Sequence, residues 1–364
     1  MLAQSENLRY TRQIRINEIG QQGQEKIKNA RVIVVGTGGL GCPALLYLAS
    51  MGVGEIGMID NDIVDETNLN RQILFSYKDL DKPKVLAAKN KLKVINPNTK
   101  FNAHFVRMDH KNALDIFSDY DIIVECSDNF ATKYLSNDAC VILDKPLVYG
   151  AASRFEGQVA VFNYKDGPTL RCLYPEPPSP LEVPSCSVVG VLGSVPGIIG
   201  TIQATEVIKI ITGVGKPIAD GVLSFDFLTN NFFLFPLQRD IHVSTVTKLT
   251  EYDNFCDESV NLKEITASEL KNSLNSNPAL FILDVRNPKD EDIKQTIGSA
   301  INIPAYEIPY RWKEIPRNCP VIVFCRYESQ SRNVISYLQK NHGFNNLINL
   351  KDGIAGWEMF NSLY

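Results

Sequence analysis

The chain has 364 residues, more than one typical domain core accommodates, so its length predicts two domains. Hydrophobic residues make up 44% and charged residues 21%, as in ordinary soluble globular proteins. The net charge of −4 argues against sequence-independent nucleic-acid binding. No uninterrupted apolar run is long enough to cross a bilayer, and the N-terminus lacks a signal-peptide pattern. We therefore expect neither nucleic acid nor a membrane as a partner.

The cysteines indicate the redox environment. Eight of them are scattered along the chain, and none forms a Cys-x-x-Cys pair. This usage favours reduced thiols, and hence a cytoplasmic protein, over a disulfide-bonded secreted one.

The first half of the chain alternates β-branched runs with helical patterns. After an amphipathic helical region at 6–30, we predict strands at 31–35, 55–60, 101–106, 121–126 and 146–149, and helices at 40–51, 83–95 and 132–143. This alternation predicts an open, mostly parallel α/β sheet with helices on both faces. Farther on, β-rich stretches at 158–163, 222–227 and 231–236 surround a long apolar helix at 195–213 and predict antiparallel strands, which makes the sheet mixed.

A second α/β domain is predicted after a break in the pattern. Five prolines between 175 and 184 predict an exposed crossing loop. Apolar periodicity fades near 246–262, which we assign as a linker between domains at 1–245 and 263–364. Thr266 is the expected N-cap of the second domain's first helix. The predicted strands of this domain are 280–285, 300–303, 321–325 and 346–350, and its helices are 267–274, 328–340 and 353–360.

A glycine-rich turn is the most informative feature of the sequence. The run Gly36-Thr-Gly-Gly-Leu-Gly41 lies between a predicted buried strand and a helix, where it presents backbone N–H groups to phosphate. By itself the run also suits an NAD enzyme. A carboxylate about 20 residues after such a turn, as at Asp60, usually binds ribose hydroxyls. The candidate nucleotide-binding residues are Gly36, Gly38, Gly39, Gly41, Asp60, Asp62, Asn68, Arg71, Gln72, Lys84, Asp128 and Asn129.

The charges among these residues favour nucleotidyl transfer over hydride transfer. Asp128 and Asn129 follow the fourth predicted strand and are expected at the same crevice as the glycine turn. Carboxylates suit Mg²⁺, and the cations Arg71 and Lys84 would offset the charge of a triphosphate.

The ordered motifs of residues 6–240 resemble those of the MoeB/ThiF adenylyltransferases, relatives of the ubiquitin-activating enzymes. The motifs are Arg9-Tyr10-x-Arg12-Gln13, the glycine run, Asn68-Leu-x-Arg71-Gln72, Pro83-Lys84, Ser127-Asp128-Asn129, Glu156-Gly157-Gln158 and Gly190-Val-Leu-Gly193. The resemblance implies a Rossmann-like domain that uses ATP to adenylate the C-terminal glycine of a small ubiquitin-like sulfur carrier ending in Gly-Gly.

The resemblance also implies individual roles. Gly39 and Gly41 would lie against the phosphates, and Asp60 would bind ribose. Arg71 and Lys84 would hold phosphates, and Asp128 would hold Mg²⁺. Arg12 would reach into the partner subunit's site, which implies a homodimer.

Two cysteines are candidates for sulfur chemistry. The resemblance implies that Cys186, after the proline-rich loop, can link covalently to the activated carrier, although an incidental cysteine is the alternative. Cys325 ends a predicted strand and opens the loop Cys325-Arg-Tyr-Glu-Ser-Gln330 before a helix, a setting that stabilises a thiolate or persulfide anion.

The second domain, at 262–364, resembles a rhodanese domain. The supporting motifs are Leu283-Asp284-Val-Arg286, Gly298-Ser-Ala-Ile-Asn-Ile-Pro304 and Gly353-Ile-Ala-Gly-Trp357. The resemblance implies that Cys325 carries sulfur as a persulfide; a domain kept only for binding is the alternative. Glu328, Gln330 and Gln295 depart from the family pattern. The Glu328 carboxylate would disfavour anionic thiosulfate, so we expect a protein persulfide donor such as a cysteine desulfurase.

A structural metal of the related enzymes is not expected. Two Cys-x-x-Cys pairs usually bind zinc in that family, but the positions here are Thr169-Leu-Arg-Cys172 and Asp253-Asn-Phe-Cys256. Each pair has lost one thiol.

Three other functions stay open at this point. They are an NAD oxidoreductase, a non-catalytic carrier-binding scaffold, and an adenylating enzyme for a different peptide or RNA modification. The sequence does not identify the carrier's pathway, molybdopterin and thiamine biosynthesis being two candidates.

Overall fold

The computed structural model describes residues 2, 4–176, 190–252, 262–276, 280–288, 293, 295–326 and 329–363. They form two compact units, with the described residues up to 252 in the first and those from 262 onward in the second. Four residues of the sequence predictions, Cys186, Asp253, Cys256 and Glu328, lie outside the described residues, as does most of the proline-rich loop.

An eight-stranded mixed sheet forms the centre of the first unit. Its strand order is β3-β2-β1-β4-β5-β6-β7-β8, where the strands are β1 (Arg31–Val35), β2 (Glu55–Ile59), β3 (Lys100–His104), β4 (Ile122–Glu125), β5 (Leu147–Ser153), β6 (Glu156–Phe162), β7 (Gly221–Asp226) and β8 (Asn231–Pro236). Strands β1 to β5 pair in parallel, and β5 to β8 pair antiparallel. The predicted mixed sheet is confirmed.

This strand order creates a crevice at one edge of the sheet. The chain builds outward from β1 through β2 to β3, and then returns to place β4 on the other side of β1. In open α/β sheets, ligands bind at the carboxyl ends of the strands where the order reverses in this way. The turns that follow β1, β2 and β4 are therefore the expected site.

The helices of the first unit mostly follow the predictions. They are Gln4–Arg9, Thr11–Ile14, Gly20–Asn29, Gly41–Met51, Lys84–Ile95, Ala113–Ser118, Phe130–Ile142, Leu170–Leu173, Ser194–Thr212 and Ile241–Ser244, with 3₁₀ helices at Glu66–Asn68 and Tyr77–Asp79. The amphipathic region predicted as helical at 6–30 is divided among three of these helices. Gly20 begins the third of them with a φ of 57°, a left-handed conformation that turns the chain.

The helix Ser194–Thr212 packs against the sheet. Its 19 residues are long and apolar enough to span a membrane, yet 56% of its most apolar 18-residue stretch is buried inside the protein, as expected for a core helix. Gln203, fully buried in its middle, donates from Nε2 to the carbonyls of Glu125 at 2.7 Å and Val148 at 3.1 Å. These bonds tie the helix to the ends of β4 and β5.

A five-stranded parallel sheet forms the second unit. The strand order is β11-β10-β12-β13-β9, where the strands are β9 (Glu264–Ile265), β10 (Phe281–Asp284), β11 (Ile301–Asn302), β12 (Val321–Phe324) and β13 (Leu347–Leu350). Its helices are Ala267–Ser276, Ile308–Arg311, Ser329–His342 and Gly353–Leu363, with 3₁₀ helices at Ala305–Glu307 and Trp312–Glu314. The small α/β domain is confirmed, and so is the Thr266 cap: the Glu269 N–H donates to its hydroxyl at 3.3 Å.

The predicted linker begins with residues that belong to the first unit by their contacts. Tyr252 is buried there and donates its hydroxyl hydrogen to Asp138 Oδ2 at 2.6 Å. The remaining linker residues up to 261 lie outside the described ones, so the domain boundaries stay a prediction.

Candidate functional site

The glycine turn after β1 has backbone geometry that only glycine allows at two positions. Gly36 has a φ of 90°, and a Cβ there would lie 3.0 Å from the Cys126 carbonyl oxygen. A Cβ on Gly41 would lie 2.0 Å from the Gly36 carbonyl oxygen. The turn thus folds tightly onto itself and against the end of β4.

This turn leaves a row of free hydrogen-bond donors. Among the described residues, the N–H groups of Gly38, Gly39, Leu40 and Gly41 donate to no acceptor. They precede or begin the helix Gly41–Met51, whose N-terminus carries a partial positive charge. Four unused donors at a helix N-terminus form a ready binding site for phosphate oxygens.

Asp60 secures the turn from β2. Its Oδ2 accepts from the Thr37 N–H and the Thr37 hydroxyl, both at 2.8 Å, and its Oδ1 accepts from the Asp62 N–H at 2.9 Å. Carboxylate oxygens have further lone pairs, so these bonds leave acceptor capacity for a ribose hydroxyl. Ribose binding by Asp60 stays a prediction.

Lys84 and Asp62 form an ion pair beside this carboxylate. Lys84 is only 5% exposed, and its Nζ lies 2.8 Å from Oδ2 of the exposed Asp62. The Lys84 N–H also donates to the Asp62 carbonyl at 3.0 Å. An arriving phosphate would compete with Asp62 for this ammonium group.

Arg71 and Gln72 flank the glycine turn. Arg71 donates to Asn68 Oδ1 at 2.8 Å, which sets the direction of its guanidinium. A Cβ on Gly39 would lie 3.6 Å from Arg71 Cγ, and one on Gly38 would lie 3.7 Å from Gln72 Nε2. Gln72 is buried, and its Oε1 has no hydrogen-bond partner in the part of the chain that the structure describes. This unused acceptor suits a ligand that carries hydrogen-bond donors.

Asp128 follows the end of β4. It is exposed and forms no hydrogen bond or ion pair with the described residues. Mg²⁺ commonly binds one or two carboxylates together with substrate phosphates, so a free carboxylate here fits that ion. Within the described chain, no group of three or more acidic, histidine or cysteine residues could hold a metal by itself. Asn129 caps the helix Phe130–Ile142, accepting the Thr132 N–H at 2.8 Å.

A buried ion pair beneath Asp128 was missed by the sequence reasoning. Lys133 Nζ lies 2.5 Å from Glu125 Oε2, and it also donates to the carbonyls of Ser127 at 2.8 Å and Gly150 at 2.9 Å. The Ser127 N–H and hydroxyl donate to Glu125 Oε1. Burial raises the pKa of the Glu125 carboxyl, although Lys133 opposes the rise. The sequence did offer one signal for this pair, because Glu125 is a charged residue near the end of a predicted strand that is otherwise mostly apolar.

Arg12 and Cys186 are not brought to this site by contacts among the described residues. Arg12 is exposed on the helix Thr11–Ile14, and it forms no hydrogen bond or ion pair with any residue that the structure describes. Cys186 lies outside the described residues.

The second candidate site surrounds Cys325, directly after β12. The residue is 1% exposed, and its Sγ accepts the Ser331 N–H at 3.4 Å. A Cβ on Gly353 would lie 2.5 Å from the Cys325 and Arg326 carbonyl oxygens, so glycine allows this close approach. Cys325 lies between the end of β12 and the helix Ser329–His342, as predicted.

A buried ion pair ends the neighbouring strand β10. Arg286 is fully buried, and its Nη2 lies 2.6 Å from Asp284 Oδ2 and 2.6 Å from the Gln295 carbonyl. Asp284 and Arg286 both belong to the Leu283-Asp284-Val-Arg286 motif. Their ion pair and the hydrogen bond to the Gln295 carbonyl connect the end of β10 to the chain that follows it.

The described half of the family's zinc position does not suit zinc. Cys172 Sγ accepts the N–H groups of Thr169 and Asp240 at 3.4 Å, and Thr169 offers only a hydroxyl. Hydroxyl groups are not among the usual zinc ligands. Hydrogen bonds to Asp138 connect the segments on either side of this position instead. Asp138 accepts from Arg171 at 2.8 and 2.6 Å and from the Tyr252 hydroxyl at 2.6 Å.

Comparisons with known proteins match both domains. The sequence model of the ThiF family matches residues 10–244, and that of the rhodanese-like domain matches residues 266–360. The chain is 38% identical over 370 residues, 98% of its length and 94% of the relative's, to a probable adenylyltransferase/sulfurtransferase MoeZ from Mycobacterium tuberculosis. It is 40% identical over 363 residues, 93% of its length and 83% of the relative's, to the adenylyltransferase and sulfurtransferase MOCS3 of Aedes aegypti.

Two further comparisons concern the first unit. A sulfur carrier protein adenylyltransferase from Thermus thermophilus is 43% identical over 259 residues, which is 68% of this chain and 96% of that protein. Among solved structures, E. coli MccB with ATP superposes with a TM-score of 0.57 at 23% identity, covering 67% of this chain and 75% of that chain. That likeness supports the fold alone.

Replacing Gly41 tests the glycine turn. Gly41→Ala would force a Cβ to within 2.0 Å of the Gly36 carbonyl oxygen, so we expect a distorted turn and a loss of ATP binding, measured by calorimetric titration. Gly38→Ala is a control for stability only, because Gly38 belongs to the same phosphate-binding turn; its Cβ would meet nothing closer than 3.7 Å, so the melting temperature should stay unchanged. Unaltered ATP affinity in Gly41→Ala would contradict a phosphate-binding role for the turn.

Proposed function

The chain belongs to the ThiF family and carries a C-terminal rhodanese-like domain, and from that premise we propose that it activates and sulfurates a ubiquitin-like sulfur-carrier protein. In the first reaction, ATP adenylates the C-terminal glycine of the carrier. In the second, sulfur from a persulfide on Cys325 replaces AMP and yields a thiocarboxylate. The observation that carries the proposal is the row of four unused N–H donors at 38–41, between Arg71 and the turn that bears Asp128.

The adenylation step follows from the charges at the first site. A carboxylate oxygen of the carrier attacks the α-phosphorus of ATP, the bond to the β-phosphate oxygen breaks, and pyrophosphate leaves. Arg71 and Lys84 are the cations that would offset the developing negative charge, with Lys84 exchanging Asp62 for a phosphate oxygen. Mg²⁺ held by Asp128 would neutralise the charge of the leaving pyrophosphate.

The sulfur-transfer step uses Cys325. A persulfide protein, such as a cysteine desulfurase, transfers its outer sulfur to the Cys325 thiol and is left as a thiol itself. The outer sulfur on Cys325 attacks the acyl carbon of the adenylate, and AMP leaves, so that an acyl disulfide joins the carrier to Cys325. The Ser331 N–H, already bonded to Sγ, is in position to stabilise the sulfur anion.

Release of the carrier needs a second thiol, which we assign to Cys186. Its thiolate attacks the Cys325 sulfur, the thiocarboxylate leaves, and a Cys186–Cys325 disulfide remains. A thiol reductant returns the two cysteines to the starting state. A reducing, cytoplasmic environment suits this cycle, and the six cysteines that the structure describes are all free thiols.

We also infer that the working enzyme is a homodimer. An open apolar groove of about 540 Å³ crosses the first unit, lined by Pro43, Leu46, Tyr47, Ile73 and Ile198 among others. Tyr47, Ile73 and Ile198 are 51%, 61% and 41% exposed, and clustered exposure of this kind marks an interaction surface. Ile73 comes directly after Arg71 and Gln72, so a second copy seated here would approach the nucleotide site. Arg12, which is exposed and pairs with no described residue, is then available to that copy.

Removing the Asp128 carboxylate tests the adenylation site. We expect Asp128→Asn to lower carrier-dependent ATP–pyrophosphate exchange by about 10²-fold or more, because a positioned electrostatic group is lost from the transition state. Asp119→Asn is the matched control, since Asp119 is also exposed but lies before β4, at its opposite end. Equal exchange rates in the two variants would remove Asp128 from the mechanism.

Removing the Cys325 thiol separates the two reactions. Cys325→Ala should keep ATP–pyrophosphate exchange at the wild-type rate and form no thiocarboxylate, because the sulfur has no carrier. The measurement is the intact mass of a Gly-Gly carrier after incubation with Mg-ATP and a persulfide donor. Cys319→Ala, a free thiol of the same unit, should behave as wild type. Thiocarboxylate made by Cys325→Ala at the normal rate would refute the persulfide role.

A charge in the groove tests the homodimer. Tyr47→Asp should convert a dimer to a monomer and lower pyrophosphate exchange, since an aspartate buried in an apolar interface is costly. The oligomeric state is measured by light scattering. Val94→Asp is the control, since Val94 is 84% exposed and does not line the groove. A wild-type chain that is monomeric at micromolar concentration would contradict the dimer.

A further inference from the structure

Two fully buried polar side chains lie behind Cys325. Ser331 Oγ is 3.6 Å from Cys325 Sγ, and the Ser331 hydroxyl donates to Asn349 Oδ1 at 2.7 Å. The three groups therefore form a chain of polar contacts from the sulfur to the centre of the second unit.

Asn349 is a polar residue at a position where an apolar one is expected. It lies on β13 two residues after Leu347, and alternate residues of a strand face the same side. Leu347 packs on that side with Val334, Ile335 and Leu338 of the helix Ser329–His342. An asparagine in this layer loses its contact with water, so packing alone does not account for it.

The Asn349 amide uses only one of its two polar groups. Its Oδ1 accepts the Ser331 hydroxyl, but its Nδ2 is buried and has no hydrogen-bond partner among the described residues. No side-chain contact therefore fixes which end of the amide faces Ser331. A half-turn about the Cβ–Cγ bond would present an N–H donor to Ser331 Oγ, and the hydrogen bond from Ser331 is the only one that the Asn349 side chain would lose to a described residue.

We propose that Asn349 is a positioning residue that lets this chain of hydrogen bonds run in either direction. With a thiol at Cys325, the Ser331 hydroxyl gives its hydrogen to Asn349 Oδ1, as observed. With a thiolate or persulfide anion, the amide turns and donates to Ser331 Oγ, and the hydroxyl turns to donate to the sulfur. A hydroxyl that accepts one hydrogen bond donates a stronger one. That Cys325 carries a persulfide rests on the proposed function. The reversal of the hydrogen bonds requires only that the Cys325 thiol loses its proton.

The test is the rate at which iodoacetamide alkylates Cys325 in the full chain, read from peptide masses at several pH values. Only the sulfur anion reacts, so the rate at a given pH reports its stabilisation. Asn349→Leu keeps the side-chain shape and removes both polar groups. We expect alkylation at pH 7 to slow about fivefold, the value of one modest hydrogen bond. Asn349→Asp can accept from Ser331 but, once ionised, cannot donate, so it should be slower still at pH 8.

A double-variant cycle shows whether the effect passes through Ser331. Ser331→Ala alone should slow alkylation, and adding Asn349→Leu should then change nothing further. An unchanged rate in Asn349→Leu and Asn349→Asp would overturn the proposal, as would an equal slowing by Asn349→Leu with and without the serine. If Asn349→Leu does not fold, as judged by circular dichroism, the aspartate variant decides. Alkylation requires neither ATP nor carrier, so failure of the proposed function would be seen separately, in wild-type chain that makes no thiocarboxylate.

Discussion

A buried carboxylate that must be paired organises the nucleotide edge of the first unit. Glu125 ends β4 with no exposure to solvent, and Lys133 meets it at 2.5 Å. The same ammonium group binds the carbonyls of Ser127 and Gly150, and Ser127 in turn donates to Glu125. Removing one partner of such a pair costs about 3–5 kcal/mol, because the other charge stays buried alone. The backbone before Asp128, and the surface against which Gly36 packs, depend on this pair.

The second unit also has a buried ion pair at the carboxyl edge of its sheet. Asp284 ends β10, and the fully buried Arg286 binds it and the Gln295 carbonyl. Asn302 donates to the backbone carbonyls of both Asp284 and Arg286 at 3.0 Å. In each unit a paired buried charge at the end of a parallel strand also hydrogen-bonds neighbouring backbone carbonyls. The candidate site residues Asp128 and Cys325 each follow a strand of such an edge.

Predictions from the sequence succeeded where periodicity or turn chemistry was decisive. The strands β1 and β8 have the predicted bounds, and Thr266 caps its helix as predicted. These features depend on residues that are close together in the sequence. The predicted helical region at 6–30 is divided into three helices, and Gly20 begins the third with a left-handed conformation that amphipathic spacing does not reveal. Short helices such as Ala113–Ser118 were missed, since six residues hold too few turns to show a period.

The sequence by itself determined the fold class, the two chemical motifs and the family, because glycine turns, strand-end carboxylates and the order of the motifs are local properties. Only the tertiary structure decided which side chains meet. Strand pairing and helix packing bring Lys133 to Glu125, Thr37 to Asp60 and Asn349 to Ser331. The spacing of these residues along the sequence does not predict the contacts. A buried polar group needs a partner, but the sequence alone does not identify which distant residue provides it.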